Sequence, residues 1–188
     1  MRLIVGITGA TGVVFGIRLL EALRTLEVET HLMMSEWAEK TMRLETTYTP
    51  EEVRALASYY YDRDNQAAAI SSGSFLTAGM VIAPCSMNSL AAIAHGLGSN
   101  LIHRAADVVL KERRKLVLVP RETPLNSIHL ENMLRLSNLG AVILPPVPAF
   151  YNRPATLDDM VNHITARVLD QIGIPNDLTS RWGERASN

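Results

Sequence analysis

The chain has 188 residues, 47% hydrophobic and 20% charged, the proportions of a soluble globular protein long enough to bury a core. Its net charge is −1 with Lys and Arg scattered, which argues against nucleic acid or an anionic membrane as the main partner. A single cysteine, Cys85, excludes an intramolecular disulfide and a cysteine-based metal cluster, and suits a reducing compartment.

In chain order, the apolar run Leu3 to Thr8 reads as a buried strand. Arg2 ahead of it is how a signal peptide starts. However, the run breaks at Gly9-Ala10-Thr11-Gly12, and Arg18 and Glu21 follow without a separate small-residue cleavage site. No stretch approaches the roughly 20 apolar residues that cross a bilayer, so the expected location is the cytoplasm. Val13, Ile17, Leu20 and Leu23 then recur at helical spacing, with Arg18, Glu21 and Arg24 on other faces. Further strands are expected at Thr30 to Met34, Met80 to Ala83, Leu116 to Val119 and Ala141 to Leu144, with helices around 36–44, 51–58, 87–95, 103–113, 126–138 and 157–171. Strands alternating with helices imply one domain over residues 1–188, a doubly wound α/β fold on a mainly parallel sheet, with a tail from about 173.

Ligands of such folds sit at the carboxyl ends of the strands, so the segments that follow each strand carry the information. After the first strand, Gly6-Ile7-Thr8-Gly9-Ala10-Thr11-Gly12 lets backbone N–H groups approach an anion at a helix N-terminus. It has neither the dinucleotide spacing nor the Gly-Lys-Ser/Thr of a P-loop, and Ser35 stands where a dinucleotide enzyme offers a carboxylate to a ribose. A phosphate or flavin is favoured over NAD, with a plain structural turn as the alternative. Ser86, ahead of Met87, Asn88 and Ser89, reads as a helix N-cap that also presents hydroxyls and N–H groups to a ligand. Cys85 reads as packing rather than a nucleophile. Arg104, Asp107 and Lys111 share a helical face, an ion-pair ladder or a cationic site.

Arg121-Glu122 is boxed by Pro120 and Pro124, which stiffen a loop whose guanidinium matches phosphate oxygens and whose carboxylate can move a proton. Tyr151 and Arg167 are either structural or a hydroxyl and a charge for a second phosphate. Thr156 and Asp159 read as a capping pair. The histidines His31, His95, His103, His129 and His163 lack metal-ligand spacing, so no metal is expected. Trp182, in a polar tail, is expected to dock on this subunit or a neighbour.

The segments Arg104-Ala105-Ala106-Asp107-Val108 with Leu110-Lys111-Glu112, Leu118-Val119-Pro120-Arg121-Glu122 and Pro146-Val147-Pro148-Ala149-Phe150-Tyr151 stand in an order that resembles the UbiX-type flavin prenyltransferases. Met87-Asn88 and His129-Leu130-Glu131-Asn132-Met133 support the resemblance, which runs from Ile4 to Trp182. It implies a flavodoxin-like or Rossmann-like three-layer sandwich, assembled as a dodecamer with active sites between subunits. It also implies a reaction. N5 of reduced FMN takes the allylic carbon of dimethylallyl monophosphate as phosphate leaves, and ring closure onto C6 gives prenylated FMN for a UbiD-type decarboxylase.

Carried over by position, Gly9, Ala10, Thr11, Ser35, Ser86, Met87, Asn88, Ser89 and Arg121 hold FMN. Lys111, Arg121, Glu122, Tyr151 and Arg167 surround the leaving phosphate, Arg104 and Trp182 complete the pocket, and Glu45 lies near the flavin. Thr11 stands where many relatives carry serine. One rival is a flavin-dependent cysteine decarboxylase, disfavoured because Glu45 occupies the neighbourhood of that enzyme's histidine base. The other is a non-catalytic FMN carrier subunit, which leaves Lys111, Glu122, Tyr151 and Arg167 without a common purpose.

Overall fold

The computed structural model describes residues 1–183. Its strands are β1 (Arg2–Ile7), β2 (Glu29–Met34), β3 (Tyr59–Tyr60), β4 (Gly79–Cys85), β5 (Lys115–Pro120) and β6 (Val142–Ile143). Between and after them run α1 (Val13–Thr25), α2 (Glu36–Glu45), α3 (Pro50–Leu56), α4 (Met87–Ala94), α5 (Leu101–Lys111), α6 (Ser127–Asn138) and α7 (Leu157–Ile172). The strands form one sheet in the order β3-β2-β1-β4-β5-β6, and every neighbouring pair is parallel.

Strand pleating divides the core. Leu3, Val5 and Ile7 of β1 point to the face covered by α1 and α7, where they meet Val13, Ile17, Leu20, Val168 and Leu169. Ile4 points the other way and joins Met80, Ile82, Leu90, Leu101 and Leu136 under α4, α5 and α6. Helices on both faces of a parallel sheet make the expected doubly wound, three-layer, flavodoxin-like fold.

Two strands differ from the sequence reading. The reading misses β3, because Tyr59–Tyr60 is a two-residue edge strand without an apolar run. Its register comes instead from a reciprocal pair, Thr30 N–H to Ser58 Oγ at 3.1 Å and Ser58 N–H to Thr30 Oγ1 at 3.0 Å. β6 is shorter than expected and ends at Ile143; after Leu144, whose N–H still donates to the Leu118 carbonyl at 2.8 Å, Pro145 and Pro146 cannot extend the ladder. Thr156 and Asp159 form the expected capping box, the Asp159 carboxylate accepting the Thr156 N–H at 2.9 Å.

Gly16, inside α1, marks a close helix–sheet contact. A Cβ there would lie 2.3 Å from the carbonyl oxygen of Ala83 and 2.9 Å from Ile7 Cδ1. Helix propensity alone favours alanine by about 1 kcal/mol. Forcing a methyl against a backbone carbonyl costs about 3 kcal/mol, at the upper end for overpacking. We therefore expect Gly16→Ala to lose about 2 kcal/mol in urea unfolding. A more stable variant would mean that α1 and β4 are not packed this closely.

Candidate functional site

The strand order reverses between β1 and β4, where the crossovers leave in opposite directions and open a crevice at the carboxyl edge. A cleft of about 580 Å³ lies there, lined by Gly9, Ser35, Glu36, Trp37, Arg63, Asp64, Ser86, Asn88, Ser89, Ser99, Asn100 and His103. Three strand ends deliver its polar walls. Gly9 follows β1, and it must be glycine because a Cβ would lie 2.2 Å from the Cβ of Trp37. Ser35 follows β2 and caps α2, its Oγ accepting the Ala38 N–H at 3.1 Å. Ser86 follows β4 and caps α4, its Oγ accepting the Ser89 N–H at 3.2 Å.

Capping uses a serine lone pair and leaves an oxygen that still faces the cleft. Two helix N-termini converge here, each with a hydroxyl, and unpaired N–H groups with a favourable dipole make such ends anion sites. The exposed indole of Trp37 and the bare backbone at Gly9 add a flat apolar surface and room for close approach. This donor set fits a phosphorylated aromatic ligand such as FMN. Ala10 and Thr11 follow β1, Met87 opens α4 and Arg121 follows β5, and all four stand outside the cleft lining. The Arg121 N–H donates to the Cys85 carbonyl at 3.3 Å, and its side chain is exposed.

Glu45 has a task that the sequence reading did not contain. α1 begins at Gly12, whose φ of 92° suits glycine and which has no side chain to cap the helix. Glu45, the last residue of α2, supplies the cap. Its Oε2 accepts the N–H groups of Gly12 at 2.8 Å and Val13 at 3.3 Å. It also borders a largely apolar recess of about 610 Å³, shared with Phe15, Pro146, Pro148 and Leu157.

The remaining site residues form separate groups within one chain. Arg104 pairs with Asp107 at 2.9 Å, the first rung of the expected ladder, and its Nε donates to the Ser71 carbonyl at 3.3 Å. Lys111 does not join that ladder but pairs with Glu112, whose carboxyl it holds below the usual range. α5 leads directly into the amino end of β5, so Lys111 lies at the opposite edge of the sheet from Ser86, roughly 20 Å away along a six-residue strand.

Tyr151, Arg167 and Trp182 gather on α7. Tyr151 meets the rings of His163 and Trp182 edge-on, at centroid distances of 5.7 and 5.3 Å. Arg167 pairs with Asp170 at 2.8 Å. Asp170 also takes Arg181 through two bonds of 3.0 and 2.8 Å, which folds the described part of the tail back along α7. The Arg181 bonds, above all, hold the Asp170 carboxyl below its ordinary range. Trp182 touches the Tyr151 ring of its own chain and remains 80% exposed, and the last five residues of the expected tail lie outside the described chain. Glu122 is exposed in the loop after β5, its Oε1 accepting the Thr123 N–H at 3.1 Å. Burial pushes the Cys85 thiol up to about 12, as a packing residue rather than a nucleophile requires.

The flavoprotein family model matches residues 1–169. A probable UbiX-like flavin prenyltransferase from Bacillus subtilis (strain 168) is 60% identical over 182 residues, 97% of this chain and 89% of that protein. The chain belongs to the UbiX-like flavin prenyltransferase family. Two solved members superpose closely. AnUbiX, in complex with FMN and dimethylallyl pyrophosphate, has a TM-score of 0.96 at 52% identity and covers 98% of each chain. A dodecameric FMN-dependent UbiX-like decarboxylase from Escherichia coli O157:H7 has a TM-score of 0.95 at 58% identity, over 97% of this chain and 99% of that one. The peptidyl-cysteine decarboxylase EpiD shares the fold alone, with a TM-score of 0.64 at 16% identity, over 91% of this chain and 97% of that one.

Several residues lining the cleft of this family member escaped sequence reasoning. Arg63 and Asp64 follow β3, the strand that carried no signal, so their loop could not be placed. Ser99 and Asn100 had a readable cue, since Asn100 caps α5 by accepting the His103 N–H at 3.0 Å. His103 itself is 4% exposed and hydrogen-bonded through both ring nitrogens. For Glu45, replacing a carboxylate that takes two helix N–H groups by alanine should cost about 1 kcal/mol in thermal or urea unfolding, with Glu45→Gln losing about half as much. An unchanged midpoint in Glu45→Ala would show that the cap contributes nothing.

Proposed function

We propose that this chain is a flavin prenyltransferase that holds reduced FMN in the cleft at the carboxyl ends of β1, β2 and β4. There it attaches the five-carbon allyl group of dimethylallyl monophosphate. Beside family membership, the observation that carries this reading is the convergence of two serine-capped helix N-termini with the bare backbone of Gly9. FMN supplies N5 and C6 as the positions that accept the allyl group. The chain's own residues bind, orient and neutralise charge.

Ser35, Ser86 and Ser89 offer hydroxyls, and the N-termini of α2 and α4 favour negative charge. Ala10, Thr11, Met87, Asn88 and Arg121 complete the flavin set. Lys111, Arg167 and Arg104, with the Tyr151 hydroxyl, stabilise the departing phosphate as the allylic C–O bond breaks. Glu122 exchanges a proton with it, and Trp182 forms an apolar wall against the allylic cation.

This division requires more than one subunit. Lys111 lies at the amino edge of its own sheet, so it reaches a cleft only across a subunit boundary. A dodecamer like that of the Escherichia coli O157:H7 relative would supply such boundaries, with Arg104 and Lys111 of one subunit completing the site of the next. The product goes to a UbiD-type decarboxylase, and the reaction takes place in the cytoplasm. Among the described residues no helix is long and apolar enough to cross a membrane.

Anaerobic incubation with reduced FMN and dimethylallyl monophosphate, followed by mass spectrometry of the extracted flavin, tests the reading. A gain of one C5H8 unit is expected. Unmodified FMN with both the monophosphate and the diphosphate would sink the proposal. Lys111→Ala and Arg167→Ala should each slow prenyl transfer about 100-fold while changing FMN affinity less than about threefold. Equal losses of affinity and rate would refute that split.

A further inference from the structure

We propose that His103 is a positioning residue of the FMN cleft, clamping Ser89 and, through it, Ser86, so that the two hydroxyls meet the ligand with their protons already arranged. The inference rests on the reading of the cleft as the flavin site and gives a role to a lining residue that belongs to neither the flavin set nor the phosphate set above.

The geometry is a continuous chain of side chains. His103 Nδ1 lies 3.0 Å from Ser99 Oγ, and Nε2 lies 3.2 Å from Ser89 Oγ. Ser89 Oγ in turn lies 3.2 Å from Ser86 Oγ. All four residues line the cleft. Apart from the part-exposed Arg104, the neighbours of His103 on α5 (Leu101, Ile102, Ala105 and Ala106) are buried and apolar, so an aliphatic side chain would be the simple way to fill its place. Burying an imidazole there is costly unless both nitrogens are bonded. Here both are, and both partners are hydroxyls of the cleft wall rather than backbone groups.

Burial lowers the proton affinity of the ring and keeps it neutral near pH 7. A neutral imidazole has one donor and one acceptor nitrogen, so the chain has two polarities. With the proton on Nε2, Ser99 donates to Nδ1, His103 donates to Ser89, and Ser89 donates to Ser86. With the proton on Nδ1, every bond reverses. The structure shows the second polarity, because Ser86 Oγ donates to Ser89 Oγ at 3.2 Å. Ser89 then donates to Nε2, the Nδ1–H donates to Ser99, and the Ser99 proton is the one left free for the ligand. The histidine thereby turns the two serines from independent rotors into one oriented pair, lowering the entropy lost on binding.

The test compares FMN dissociation constants, read by flavin fluorescence, for wild type, His103→Gln, His103→Asn, His103→Leu, Ser89→Ala and the His103→Leu/Ser89→Ala double variant. Thermal melts of the flavin-free proteins check folding. A glutamine amide reaches the place of Nε2, and an asparagine amide only that of Nδ1. We expect Leu and Asn to weaken binding about tenfold, Gln less than about threefold, and Ser89→Ala about tenfold. The double variant should bind no worse than the weaker single one, because both changes break the same clamp. Equal effects of Gln and Asn, or losses that multiply to about 100-fold, would reduce His103 to a packing residue. Should the Leu variant fail to fold, the Gln and Asn pair decides alone. If Ser89→Ala weakens binding and His103→Leu does not, only this inference falls. If Ser89→Ala leaves FMN binding intact, the assignment of the cleft falls with it.

Discussion

Thr8 is 1% exposed at the point where the two crossovers part, and its one hydroxyl serves both sides. Oγ1 donates to the Pro84 carbonyl at 2.9 Å and accepts the Ser86 N–H at 2.8 Å, while the Thr8 N–H reaches the same carbonyl at 3.2 Å. Removing it would take one of two bonds from the buried Pro84 carbonyl and leave the part-buried Ser86 N–H without this partner, at about 1 kcal/mol per lost bond. The loop after β1 and the start of α4 are thus held together. Gly9, Ser86 and Ser89 keep their places only because this joint does, and His103 can reach Ser89 only from the α5 that packs behind it.

The caps show why structural and ligand-binding readings of a serine need not compete. A helix N-cap uses one oxygen lone pair of the hydroxyl and leaves the other available. Ser35 and Ser86 therefore stabilise α2 and α4 and still face a ligand. Glu45 is a similar case, since its carboxylate closes the N-terminus of α1 at the edge of the apolar recess. Helix starts at a strand-order reversal combine stability and recognition because the same orphan N–H groups require both.

The cationic residues obey a different constraint. One doubly wound domain has its ligand crevice at the carboxyl edge, yet Lys111 is fixed at the amino edge by the short connection from α5 to β5. Ile128, Leu134, Val147, Phe150 and Leu157 are large apolar side chains each more than 60% exposed. Both features agree with the assembly proposed for the reaction, in which neighbouring copies cover that surface and bring the cations to the cleft.

Among the described residues, five of the six strands and the seven α-helices were legible in the sequence, because apolar runs, 3.6-residue spacing and capping residues act over a few neighbouring positions. The strand-end loops were legible for the same reason, whereas the grouping of Gly9, Ser35 and Ser86 around a flavin came from the family resemblance. β3 was not, since two half-exposed tyrosines carry no pattern and depend on Ser58 and Thr30 across the sheet edge. Glu45 capping a helix 33 residues earlier, and His103 bonded to Ser89 across 14 residues, follow from strand order and helix packing. The sequence by itself determined which elements form and which chemistry their ends carry. Only the tertiary structure decided which ends meet, because a contact between distant residues is set by how the layers close and leaves no local period to read.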